Sequence, residues 1–134
     1  MEKIVKTLSE YDTVLKEAGR YGASVRNIIV EEMGELIQAI SKMERSGLRL
    51  NDLHIRRHNE FNEEERMKIT TKIEEIRELR ETEFEPNLAE EIADVIICLC
   101  WITKKYKVEE SDIVEWLEFK CDRMDTRLEE GDFY

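Results

Sequence analysis

Two short acidic stretches carry the side chains with most chemistry to offer. Glu31 to Leu36 reads EEMGEL and Glu90 to Ile96 reads EEIADVI, so each is an acidic pair with a third acid one helical turn on. At about 100° per residue, Glu32 and Glu35 lie about 60° apart around a helix, and Glu91 and Asp94 do the same. Each pair therefore shares a face. The second stretch opens an apolar run, NLAEEIADVIICLCWI, in which every residue from Ile92 to Ile102 is apolar except Asp94. A buried carboxylate without a partner costs several kcal/mol, so something must neutralise Asp94. Four carboxylates converging between two helices repel unless cations or protons meet them, and an all-oxygen donor set suits Mg²⁺, with Mn²⁺ as a substitute. A ferritin-like di-iron site wants Glu-x-x-His, which neither stretch offers. Mg²⁺ keeps several waters, which fits it to bridge a phosphate and activate water. Two blander readings stay open: EExxE is also the pattern of a solvated helix face, and Asp94 has Lys105 or an arginine of another helix as a structural ion partner.

These acids need rigid elements to hold them, and the composition supplies helices. The chain has 134 residues, 40% charged and 41% apolar, with five Gly and one Pro, a balance that favours one folded, helical domain over residues 1–134. Hydrophobic periodicity predicts helices over about 2–18, 23–46, 62–82, 87–106 and 111–129, an all-α bundle of about five helices with the acids between the second and fourth. Gly19 and Gly22 bracket the first break, and Gly47 is placed to end the second helix. Residues 48–60 (LRLNDLHIRRHNE) show no convincing period and read as a loop or short turns. Asn62 is the expected N-cap of the third helix, with Glu63, Glu64 and Glu65 complementing its dipole. Its apolar stripe (Met67, Ile69, Ile73, Ile76, Leu79) is thin. Pro86 closes the connection to the fourth helix.

The paired motifs resemble the EExxE and ExxD signature of the all-α nucleoside triphosphate pyrophosphohydrolases, the MazG-like group, over about half of the chain. The resemblance implies a helical dimer or tetramer that uses Mg²⁺ to cleave a nucleoside triphosphate between its α and β phosphates, releasing monophosphate and pyrophosphate. Carried over by motif, the metal ligands are Glu32, Glu35, Glu91 and Asp94, and Glu31, the leading acid of EExxE, orients or deprotonates water. Lys120, Arg123 and Arg127 in FKCDRMDTRL match the basic residues of the family's last helix and would hold the outgoing phosphates. Their spacing also suits the negative end of a helix dipole. Compared with compact members, the chain carries an insertion at about 48–86.

The net charge of −11 argues against nucleic acid held by phosphate contacts. No apolar run approaches the length of a membrane span, so a cytoplasmic compartment without a membrane partner is expected. Cys98, Cys100 and Cys121 lack C-x-x-C spacing and read as reduced core thiols. His54 and His58, at i,i+4 in HIRRH, have zinc spacing without a third ligand, while Arg56 and Arg57 read as a phosphate lid or a solvated pair. Trp101, Tyr106 and Trp116 read as core rather than as base-stacking groups. Two further functions compete: a hydrolase of the same scaffold acting on another phosphorylated nucleotide, and a non-catalytic helical interaction module.

Overall fold

The structure is a computed structural model that describes residues 1–18 and 24–131. Its elements are α1 (Glu2–Glu10), α2 (Asp12–Ala18), α3 (Val25–Asn59), α4 (Glu63–Leu79), a π-helical segment (Arg80–Phe84), α5 (Glu85–Lys105) and α6 (Glu110–Glu129). There is no strand among the described residues, so the fold is all-α as expected. The helix expected over 2–18 is divided at Tyr11. Gly19 and Gly22 lie outside the described residues.

The chain forms two compact units, Met1–Gly22 with Leu99–Tyr134, and Ala23–Cys98. Among the described residues, every buried apolar side chain belongs to the second unit: Val25, Ala39, Leu53, Ile73 and Cys98.

In that second unit the expected loop over 48–60 is absent. α3 runs unbroken for 35 residues, through Gly47 and on to Asn59. The period is present after all: Ser46, Leu50, Leu53 and Arg57 recur at steps of four and three on the inner face, and Ser46 and Leu53 are buried. Half of that stripe is polar, which hides it from a search for apolar residues. Asp52 supports the outer face through ion pairs with Arg49 (3.5 Å) and Arg56 (3.2 Å).

Gly47 also has another task than ending a helix. A Cβ there would stand 3.2 Å from Arg80 Nη1. The Arg80 guanidinium lies across α3 at this point, donating to the Met43 carbonyl (2.9 Å) and to Ser46 Oγ (2.7 Å). The missing side chain is what allows that close approach.

After Glu60, Asn62 caps α4 as its sequence suggests, its side chain accepting from the Glu65 N–H at 3.1 Å. The helix does not stop before Pro86. A five-residue π segment carries it into α5, the Glu85 N–H reaching five residues back to the Arg80 carbonyl. Proline has no N–H to give and its ring crowds the preceding turn, and the wider π turn accommodates both defects without a break. The contacts fix an antiparallel register: Ser46 meets Arg80, and eleven residues further along each helix Glu35 meets Glu91. Seven residues the other way stand Leu53 and Ile73, each 1% exposed.

In the first unit, α5 ends with the Val108 N–H bonded to the Thr103 carbonyl at 2.9 Å and Lys107 at φ 52°, a left-handed helix stop. Lys104 pairs with Asp12. α6 has no buried residue. Trp116 packs edge-on against Phe119, ring centroids 5.8 Å apart, yet both are more than half exposed, and so is Tyr106. These rings are not core as the sequence suggests. Nor are all the cysteines: the three are free, but only Cys98 is buried, and Cys121 is exposed.

Candidate metal centre

α3 and α5 face each other with acids. One carboxylate oxygen from each of Glu32, Glu35 and Glu91 lies within 4.8 Å of the others. Asp94 stands beside Glu32 and Glu91 beside Glu35, each carboxylate acting on its neighbour's charge. The register explains the pairing: Glu32 and Glu35 follow one another by a turn on α3, and Asp94 and Glu91 do so in the opposite direction on α5.

None of these four acids forms an ion pair among the described residues. Lys105, a candidate partner of Asp94, instead lies over the Tyr106 ring, 5.6 Å from its centroid. Glu32 Oε2 and Glu91 Oε2 are both buried with no hydrogen-bond partner. Burial pushes the Glu32 carboxyl above the ordinary carboxylate value, and the charges of Asp94, Glu35 and Glu31 push it further the same way. Glu91 is raised by burial first, then by Glu35, Asp94 and Glu32. Repulsion and desolvation thus act together, with no cationic side chain paired to these acids among the described residues.

The donor set fits a hard divalent cation. Its available atoms are carboxylate oxygens, two of them unspent in hydrogen bonding, as Mg²⁺ or Mn²⁺ requires. The soft atom nearby is Cys98 Sγ. Burial raises that thiol, and the charges of Glu32 and Asp94 raise it further, so it stays protonated and does not offer a thiolate.

The remaining expected residues fall elsewhere. Glu31 is on the exposed side of α3, contributing its charge to Glu32. Lys120, Arg123 and Arg127 are exposed on α6, in the other unit, and form no ion pair among the described residues. His54 does not pair with His58 for zinc: both of its ring nitrogens face arginines, Arg57 Nη2 at 3.2 Å from Nδ1 and Arg77 Nη2 at 3.3 Å from Nε2. Arg56 is paired with Asp52 at 3.2 Å on the exposed face of α3.

The sequence reading missed Arg80 and Arg77. A signal was there, since Arg80 extends the α4 stripe Ile69, Ile73, Ile76 by four residues, marking it as inward-facing. No protein-family model, curated protein or solved structure matches the chain.

Proposed function

We propose that the chain is a Mg²⁺-dependent nucleoside triphosphate pyrophosphohydrolase, converting an NTP or dNTP to the monophosphate and pyrophosphate with water as nucleophile. The observation that carries the reading is the meeting of Glu32, Glu35 and Glu91 within 4.8 Å, with two buried oxygens that have no hydrogen-bond partner among the described residues. The paired EExxE and ExxD motifs supply the reaction class. Glu32, Glu35, Glu91 and Asp94 would hold the cation. Bound there, a divalent ion offsets the charge of the triphosphate and makes water more acidic.

The chain's own part is placement and proton handling. Each pair of ligands sits on successive turns of one helix, which fixes their separation before substrate arrives. Buried Cys98, flanked by the apolar residues of α5, gives a floor without competing charge. Glu31, exposed beside Glu32, is assigned to hold the attacking water and take its proton as the water oxygen bonds to the α-phosphorus. The bond from that phosphorus to the bridging oxygen then breaks and pyrophosphate leaves. Lys120, Arg123 and Arg127 belong to the other unit, and the reading rests on the acids alone. A cytoplasmic homodimer or homotetramer goes with it. Among the described residues no helix is long and apolar enough to cross a membrane, and Trp116, Leu117 and Phe119, exposed along α6, support self-association.

The test is to incubate the pure protein with Mg²⁺ and each common NTP and dNTP and resolve the products. Monophosphate with pyrophosphate is expected. Diphosphate with phosphate, or no product from any nucleotide, would refute the assignment. Asp94→Asn should abolish turnover while keeping the helical circular dichroism of the parent.

A further inference from the structure

The hairpin of α3 and α4 carries a second charged constellation of opposite sign. His54 lies nineteen residues along α3 from Glu35, roughly 28 Å at the rise of an α-helix. There a groove of about 620 Å³ opens, lined among others by Asn51, His54, Arg77 and Arg80. Its volume is in the range of small-molecule sites, roughly 300–1,000 Å³. Glu44 is the one carboxylate in its lining. The surrounding segment is basic, with five Lys or Arg against two acids between residues 42 and 58, in a chain of net charge −11.

The hydrogen bonding leaves donors over. His54 receives a guanidinium at each ring nitrogen, but a neutral imidazole has one acceptor and a guanidinium has none. At least one of those contacts therefore sets an N–H against an N–H, and protonating the ring makes both so. Arg57, Arg77 and Arg80 also lack any carboxylate partner among the described residues, although acids outnumber bases 32 to 21 in the chain. The guanidiniums of Arg77 and Arg80 in the groove's lining, with that of Arg57 beside them against His54, match an acceptor of several oxygens and more than one negative charge, which is phosphate chemistry in preference to a single carboxylate.

From this we infer that the groove binds a phosphate oxyanion, remote from the acidic cluster and without a metal. The groove does not depend on the hydrolase reading. The test is titration calorimetry in EDTA, which takes divalent ions out of the measurement, with inorganic phosphate, pyrophosphate and AMP as separate probes and acetate as the carboxylate comparison. The expected result is saturable binding of pyrophosphate at one site per chain. Arg77→Ala and Arg57→Ala should weaken it at least tenfold, and Lys68→Ala, which removes a cation elsewhere on α4, should change it less than twofold. In wild-type protein the ring resonances of His54 and the side-chain amide of Asn51 should move along the same isotherm, which locates the site without any substitution. The strengths of phosphate, pyrophosphate and AMP relative to one another say whether a free anion or a nucleotide is the ligand. Absence of saturable binding by all three, binding unaffected by the arginine substitutions, or acetate binding as tightly as pyrophosphate would overturn the inference.

Discussion

Removing one acid from the cluster should stabilise the protein without cations and take away most of its response to them. Glu91→Gln keeps the shape of the side chain but takes away a charge that Glu35, Asp94 and Glu32 all oppose. The cation response of the parent follows from binding to the folded state alone: at a free Mg²⁺ or Mn²⁺ concentration of a hundred times Kd it is about 2.7 kcal/mol. For 134 residues unfolding together, the entropy at the midpoint is roughly 0.28 kcal/mol/K. The melting temperature should therefore rise by roughly 10 °C on adding the cation.

pH gives the same mechanism an independent signature. The Glu32 and Glu91 carboxyls are raised in the folded protein, so between the unfolded value of about 4.3 and the raised folded values the native state holds more protons than the unfolded one. Stability must then fall as pH rises through that window. In EDTA the melting temperature of the parent should decline from pH 4.5 towards 8, and saturating Mn²⁺ should flatten the decline. Glu91→Gln should melt above the parent in EDTA at pH 8, converge with it near pH 4.5, and lose most of the cation shift. Scanning calorimetry on the two proteins, with and without cation, reads all of these. A variant that melts below the parent in EDTA and keeps the full cation response would refute the account of the cluster.

Gly34→Ala should stabilise the protein by about 1 kcal/mol, or roughly 4 °C, since Gly34 is inside α3 with nothing within 4 Å of an added Cβ; a melt followed by circular dichroism checks it, and a drop would mean that the site is covered by something outside the chain. Arg80→Met keeps the aliphatic stem but loses the bonds to the Met43 carbonyl and Ser46 Oγ, a cost of about 2 kcal/mol that should show as a fall of roughly 7 °C in the same assay.

The helical class and the facing acids were both legible, because each depends on local spacing. Glu32 with Glu35 and Glu91 with Asp94 share faces for geometric reasons that hold in any α-helix, and the apolar residues around Asp94 marked its face as inward. Asn62 was legible for the same reason, as a cap acts within four residues. What failed were the stops. Gly47 and Pro86 are breakers by propensity, and here tertiary structure overrides both: an arginine from another turn of the hairpin needs the space over Gly47, and a π turn absorbs Pro86. Arg80 lies 33 residues from Gly47 along the chain, so no local rule could pair them. The half-polar stripe through Ser46 and Arg57 was lost for a related reason, since its partners are guanidiniums instead of apolar groups.

The arrangement of charge along the hairpin carries one more step. If the charged residues served only to hold α3 against α4 and α5, unlike charges would face each other, since that register lowers the energy at both ends. Here like faces like. Glu32 and Glu35 meet Asp94 and Glu91, while Arg57 and His54 meet Arg77, with Arg80 close by in the same groove. Buried Leu53 and Ile73, and Arg80 seated over Gly47, pin the register of the hairpin, so neither cluster can slide to relieve its repulsion. A hairpin held in this way keeps carboxylates together in one place and guanidiniums in another without an ion-pair partner among the described residues, and that is the common ground on which a cation is proposed for the first and an oxyanion for the second.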